Sequence, residues 1–574
     1  MGSTVRTAVR GDHAFSRPDQ ASIHRAGAVR GILSWDVALV TAIALIVRLI
    51  QLDHTVQVDE LNHVLAARSL LEDGTLQIAD DAGVYTRAWG FTYIVAAAFA
   101  LFGESIVVAR IPAVLAGTAL VAVLFVWTRS MAGRAAAWLA ALLLCFDPTA
   151  IFLSQFTRFY TIHALLFLLG AIAVFNLCTQ PASLRRRLGL VLGAFAAFGL
   201  AYHLQVTTVV GVAGVAAAGS LLLVRRDVVQ AVAARWRWWL PALLLLSLPA
   251  AFVAARLLPR YLGAFTHADA WAVAAVNDPL FYLRMQLEWY PTVWTLLPIV
   301  LVIAAHHRPR FAVFAGTVFL VAFSIHSLAA WKNPRFLFYA TPFLFALSGV
   351  AGASALRWIG RRVMTVCRRI TWPVHGGRLA RPAAAAAVVV TIGYLLAANS
   401  AFRLTAKMLT VDDADWTAPV LYRGEPDWAA AAEALRGVAD SSALIVSSSD
   451  LKALYYFGRL DVILSANELG SASTMNPDFS ISEKMQRPVI RHPESVARLI
   501  ECSPSGLVLV EDKHLDQVWS VPPATTDYLR EHTETVPLPA GLRLTAFRWR
   551  NPAYSQDACP AGIIPRLLAV EPAE

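Results

Sequence analysis

Charge is scarce in this chain. Only 15% of its 574 residues are Asp, Glu, Lys or Arg, against 57% hydrophobic ones, and apolar runs of roughly 15–22 residues recur from position 33 to about 399, a pattern soluble domains do not accumulate. Cysteine is scarce too. Of the five, Cys145, Cys178 and Cys367 fall in or beside the apolar region, leaving Cys502 and Cys559 as two thiols able to bridge in an oxidising compartment. No phosphate-binding Gly-Lys loop and no dinucleotide fingerprint occurs, so any reaction must draw its energy from an activated donor. The first residues, rich in Arg, Gly, Ser and His, lack the charged, apolar and cleavage segments of a removable leader, and read as a flexible cytoplasmic tail over 1–31.

What is present is a polytopic pattern. Runs near 33–52, 107–128, 135–153, 161–178, 188–203, 205–224, 238–256, 291–305, 311–328, 336–355 and 383–399 give about eleven transmembrane helices, each near the length that spans a bilayer core of about 30 Å. Positive charge collects in the tail, at Arg129 to Arg134, Arg185 to Arg187, Arg225 to Arg237, His306 to Arg310 and Arg357 to Arg381. All of these clusters lie inside if 89–103 is a juxtamembrane helix on the outer surface rather than a crossing. The net charge of +10 therefore reflects inside-facing loops and does not imply a nucleic-acid partner.

On this topology, chemistry gathers outside. The loop after the first run reads VQVDELNH and sets Asp59 and Glu60 just beyond the membrane; the same loop carries Asp80, Asp81 and Arg87. A second outer loop, 257–290, carries Arg260, His267 and Asp269. SQFTRFYTIH brings Arg158, Tyr160 and His163 to a third span end, and HSLAAWKNPRF brings His326, Lys332 and Arg335 to a fourth. Acids and bases converging at the mouth of an apolar bundle suit an anionic, lipid-borne substrate. Blander roles stand beside this one. Lys332 and Arg335 can snorkel to lipid phosphates, Arg158 can pair with a loop acid as scaffold, and His163 and His203 can simply pack. Asp147 before Pro148 reads as a break in a helix, and isolated histidines do not establish zinc.

These stretches resemble the GT-C class of polytopic glycosyltransferases, bacterial relatives of the protein O-mannosyltransferases and aminoarabinose transferases. The likeness rests on VQVDELNH, GVYTRAWG, SQFTRFYTIHALLFLLG and WKNPRFLFYATPFLFAL, in that order, and covers roughly 30–400. It implies transfer of a sugar from a polyprenyl-phosphate donor to a hydroxyl on a lipid, cell-wall glycan or protein, at the outer face of the cytoplasmic membrane, with inversion. Asp59 stands at the family's position for the general base, with Glu60 beside it. Arg87, assisted by Lys332, Arg335 and Arg158, would hold the donor phosphate; Tyr85, Tyr160, His163, His203 and His326 are candidates for sugar or acceptor contacts. The chain departs from some relatives at Phe156 and His163, where they place acids, so no cofactor is certain and a divalent cation on Glu60 and His203 is only an option.

The region 32–400 is thus expected to be the catalytic membrane domain and 401–574 a soluble extracytoplasmic α/β domain, in which SALIVSS, LDVILS, SGLVLVED and GLRLTAFRW read as strands and PATTDYLREHTE as a helix. A lipid or anion transporter is the main alternative. It calls for polarity running inward through the bundle and for related halves, whereas the spans are apolar and no repeat is evident. A membrane scaffold or binding protein is the third reading, under which Asp59 would be dispensable.

Overall fold

The computed structural model describes residues 35–79, 83–223, 278–330, 332–370, 376–412, 415–416, 421, 424–466, 479–482 and 484–555. The tail 1–31, the expected span 238–256, Asp80, Asp81, Arg260, His267, Asp269 and Cys559 lie outside them.

Two parts follow one another: an all-α membrane bundle and a C-terminal α/β domain. Among the described residues six helices are long and apolar enough to cross a membrane: Ile106–Ala132, Tyr160–Thr179, Leu184–Leu204, Pro309–Leu328, Pro334–Cys367 and Ala380–Ala398. A seventh is obtained if Arg134–Cys145 and Pro148–Ser154 count as one span bent by 62°. These six or seven do not confirm the expected eleven, of which the span 238–256 lies outside the described residues. Trp89–Phe102, Thr208–Leu223 and Leu297–His307 are apolar but shorter, and the first run forms a helix of 15 residues, Trp35–Leu49. The bend has a local cause. Asp147 leaves the helical region and caps the next segment, its carboxylate accepting from Ala150 N at 2.7 Å while Pro148 occupies the first turn.

Close helix packing depends on small residues and buried polar pairs. At Gly117 an added Cβ would lie 2.1 Å from Ser154 Oγ and 3.0 Å from Arg48 Nε, so glycine alone admits the buried Arg48–Ser154 bond of 3.0 Å.

The α/β domain is a seven-stranded sheet of order β3-β4-β2-β1-β5-β7-β6, with β1 Leu444–Ser447, β2 Val462–Leu464, β3 Phe479–Ile481, β4 Pro488–Ile490, β5 Ser505–Glu511, β6 Glu534–Val536 and β7 Leu544–Arg550. Its centre, β4-β2-β1-β5, is parallel and its borders are antiparallel, which explains the near-continuous apolar reading of β1 and β5. Trp549 lies so close over Gly506 that a Cβ there would meet its ring at 2.0 Å. Near the ends of β1 and β5 a charged knot is buried: Lys452 Nζ donates to Glu511 at 2.9 Å and Glu425 at 3.3 Å, Lys513 reaches Glu425 at 2.6 Å, and Trp428 Nε1 donates to Glu511 at 2.9 Å. Cys502 is disulfide-bonded.

One contact between the two parts bears on the site. Asp450–Phe457 of the α/β domain packs against Val58–Glu72 of the membrane part, which carries Asp59 in its first turn.

Candidate active site

The start of the Val58–Glu72 helix is fixed by its own sequence. Gln57 Oε1 accepts from Asp59 N at 2.9 Å, and Glu60 Oε1 accepts from Gln57 N at 3.1 Å, a reciprocal cap of the first turn. Glu60 then does more. Arg110, inside the long Ile106–Ala132 helix, donates Nη2 to Glu60 Oε1 at 2.7 Å and Nε to Oε2 at 2.9 Å, and Thr157 N donates to Oε2 at 2.8 Å. Both side chains are fully buried. Arg110 spends its remaining N–H groups on the carbonyls of Leu52 (2.7 Å), His54 (2.9 Å) and Thr55 (3.4 Å). One buried ion pair thus joins the loop before the helix, the helix itself and the turn carrying Arg158. The sequence reading gave Glu60 a catalytic or cation-binding part. Its oxygens are instead occupied by Arg110, Gln57 and Thr157, which leaves neither for substrate or metal.

Asp59, one residue earlier, points the other way, and its side chain is 32% exposed. Arg335 Nη1 donates to Oδ2 at 2.6 Å, and Arg158 Nη2 lies 3.5 Å from Oδ1. Arg158 Nη1 also donates to Tyr85 Oη at 2.8 Å. Arg87 and Arg158 each stand 5.7 Å from the Phe159 ring, while Arg335 lies over Tyr160 at 5.6 Å and Phe336 at 5.4 Å. Burial by itself would raise the Asp59 pKa. The guanidiniums of Arg158, Arg335 and Arg87 outweigh it and hold the carboxyl well below the usual range, so it is an anion in this state.

Surrounding elements orient these groups. Asn333 Oδ1 accepts from Arg335 N at 3.1 Å at the start of the Pro334–Leu337 turn, and Tyr282 Oη donates to Asn333 O at 2.9 Å. Ala88 adopts the left-handed region (φ 50°), uncommon for a residue with a Cβ, and so turns the chain between Arg87 and Trp89. An open cleft of about 620 Å³ adjoins Arg87, bounded by Trp89, Tyr202, His203 and Gln205. His203 lies edge-on to Trp89 at 4.9 Å and accepts from Gly90 N at 3.4 Å.

The structure therefore gathers Asp59, Arg158, Arg335, Arg87, Tyr85 and Tyr160, and places His203 beside the cleft. Other candidates have different employment. Lys332 donates its ammonium protons to the carbonyls of His326 (3.0 Å), Ser327 (2.6 Å) and Ala329, closing the end of the Pro309–Leu328 helix rather than facing a phosphate. His163 is buried with Nε2 2.9 Å from Thr208 Oγ1, and His326 is buried with Nε2 3.2 Å from Tyr339 Oη; both pack edge-on against Tyr339. Neither is placed to touch a sugar. The Glu60–His203 cation site does not form, since Glu60 faces Arg110 and His203 faces Trp89, and among the described residues no group of three or more His, Cys, Asp or Glu is clustered to hold a metal.

Two contributors escaped the sequence reading. Arg110 sits in an apolar run without any local mark. His63 follows Asp59 by one helical turn, a spacing that signals a shared face. It is buried, with Nδ1 2.9 Å from Thr92 Oγ1 and its ring edge-on to Tyr85 (5.1 Å), Phe91 (4.9 Å) and Phe159 (5.9 Å). Burial, then the charges of Arg158 and Arg87, push its pKa well down, so it is a neutral wedge behind the arginines.

No protein-family model and no curated protein matches the chain. Solved structures do. ArnT from Cupriavidus metallidurans bound to undecaprenyl phosphate aligns with a TM-score of 0.54 at 16% identity, over 90% of this chain and 99% of that one. ArnT in the apo state aligns at 0.53 and 16%, over 89% and 97%. The archaeal oligosaccharyltransferase AglB from Archaeoglobus fulgidus, in complex with an inhibitory peptide and a dolichol-phosphate, aligns at 0.51 and 13%, over 91% and 75%. At such identities the likeness shows the fold alone: the chain shares with these structures a polytopic helical bundle followed by a C-terminal domain.

Proposed function

We propose that the protein transfers a sugar from a polyprenyl-phosphate donor to a hydroxyl acceptor at the outer face of the cytoplasmic membrane, with Asp59 as general base. The observation that carries this reading is the Asp59 carboxylate held among Arg335, Arg158 and Arg87 at the mouth of the bundle. Three cations around one acid leave a surplus of positive charge, which suits a phosphate. The fold is shared with structures holding undecaprenyl phosphate in one case and dolichol-phosphate in another.

In this reading the resting salt bridges are a stand-in for the donor. When the donor phosphate enters, Arg335 and Arg87 turn part of their charge to its oxygens, with Arg158 kept in place by Tyr85. Asp59 loses some of the stabilisation that depresses its pKa and becomes a better base. The acceptor oxygen attacks the anomeric carbon as its proton passes to Asp59. The bond from that carbon to the phosphate oxygen breaks, its electron pair leaves with polyprenyl phosphate, and the configuration inverts. Tyr85 and Tyr160 border the space that the sugar would occupy, and the cleft beside Arg87 and Trp89 would take the first units of the prenyl chain.

The test is release of polyprenyl phosphate. Purified protein in nanodiscs, supplied with extracted polyprenyl-phosphate sugars and cell-envelope acceptors, is expected to add one sugar mass to an acceptor while freeing an equal amount of polyprenyl phosphate. Acceptor-independent release, or flipping of the intact donor between leaflets without release, contradicts the reading.

A further inference from the structure

A second pocket lies where the two parts of the chain meet, lined by the loop that leads into the Asp59 turn. It measures about 410 Å³, within the ~300–1,000 Å³ usual for small-molecule sites. The membrane part supplies Asp53, Thr55 and Ser105 to its wall; the α/β domain supplies Asp427, Tyr455 and Tyr456. We infer that this pocket binds an uncharged saccharide and is the acceptor subsite of the transfer proposed above. Its role as acceptor subsite rests on that reading; saccharide binding does not.

The chemistry of the wall selects the ligand. Tyr455 and Tyr456 stand edge to face, centroids 4.9 Å apart at 88°, so their rings present differently oriented apolar faces to one cavity. Both are half-buried, and among the described residues neither hydroxyl has a hydrogen-bond partner. A sugar ring offers what such a wall lacks: C–H faces for the rings, and hydroxyls for the phenols. Asp53 is exposed and unpaired among the described residues, and Asp427 uses one oxygen to cap the Trp428–Asp440 helix, accepting from Ala430 N at 3.1 Å. Carboxylates accept from sugar hydroxyls and repel phosphate or carboxylate ligands. Arg68, over Tyr455 at 5.2 Å, is already bound to Glu104. Among the described residues the lining holds no Lys or Arg, and His54 is its one basic side chain, so a phosphorylated or acidic ligand finds no fixed positive charge in the wall.

Position links the pocket to the reaction. The loop lining it is the one whose carbonyls at Leu52, His54 and Thr55 are held by Arg110, and it runs directly into the turn carrying Asp59. The helix bearing Tyr455 and Tyr456 packs on the helix that carries Asp59 in its first turn. A glycan seated here extends toward the carboxylate along a wall that exists only when both parts of the chain are present.

Saturation-transfer NMR on the full-length protein in micelles tests this, with the methyl glycosides of glucose, galactose, mannose and arabinose as probes and glucose 6-phosphate as charged control. At least one glycoside is expected to receive saturation and glucose 6-phosphate none. The signal is expected to fall fivefold or more in Tyr456→Ala and, so that folding is not at issue, in Asp53→Ala at an exposed position. Asp59→Asn is expected to keep it. No glycoside binding to wild type, binding indifferent to both substitutions, or binding of the phosphate sugar alone overturns the inference. Tyr456-dependent binding in a protein that transfers no sugar upholds the pocket and refutes the transferase reading.

Discussion

Arg335 Nη1 lies 2.6 Å from Asp59 Oδ2 across 276 residues of sequence, and this bond closes the bundle mouth around the carboxylate. The arginine is 14% exposed and stacked over Tyr160, so its planar fork is held by packing as well as by charge. Arg335→Ala is expected to weaken donor binding and lower kcat/KM about 100-fold, since losing one member of a largely buried charge pair costs about 2–5 kcal/mol. Arg335→Lys keeps the charge without the fork and should recover only part of the loss. Donor titration and steady-state rates check both; equal activity of wild type and Arg335→Ala would remove the residue from the site.

Lys332 should behave differently although it stands three residues away. Its ammonium serves the helix end at His326, Ser327 and Ala329. Lys332→Met is expected to lower Tm while leaving the donor Kd within about twofold of wild type. A large loss of donor affinity at unchanged Tm would restore the phosphate-binding role expected from sequence.

Glu60 and Arg110 form a fully buried pair, and removing one partner strands the other. Arg110→Ala is expected to cost about 3–5 kcal/mol of stability. Thermal unfolding in detergent reads this directly. An unchanged Tm would mean that the pair does not hold the Asp59 loop.

Acid should loosen the α/β domain before it affects Asp59. His514 is half-buried beside Glu511 and Lys513, and burial is the main cause of its pKa falling to about 4. A histidine near 6.5 when unfolded takes up its proton first in the unfolded state, so its stability contribution is complete above pH 6.5 and declines as pH falls toward 4. Burial opposes the charge of Glu511, but Lys452 and then Lys513 hold its carboxyl well below the usual range; its contribution is lost only below about pH 4.3. Opening free energies of β1 and β5 from hydrogen exchange are expected to fall between pH 6.5 and 4, and to fall less in His514→Asn. A flat profile would contradict the assignment.

The sequence made some of this legible and hid the rest for physical reasons. Apolar runs mark spans because the bilayer demands length, and Asp147-Pro148 marked the bend because proline cannot continue a helix. Strands β1, β2, β5 and β7 and the Pro523–His532 helix were readable from apolar runs and period, β2 despite its three residues because LDVILS is apolar around it, whereas β3, β4 and β6, three residues each, sit in no such run. Asp59 and Arg335 were noticed for being charged beside a membrane. Proximity to a span end does not reveal what an ammonium donates to, so Lys332 was read as a ligand. Nor does adjacency to Asp59 reveal that Glu60 faces the opposite way, toward an arginine 50 residues on.

The most direct test of the central claim separates Asp59 from the arginines that surround it. Wild type and Asp59→Asn are compared for donor binding and for sugar transfer to the same acceptor. Removing the carboxylate removes the base but frees Arg335 and Arg158 for phosphate, so Asp59→Asn is expected to bind donor at least as tightly as wild type and to transfer at least 100-fold more slowly. Transfer at the wild-type rate with intact donor binding would contradict Asp59 as the base.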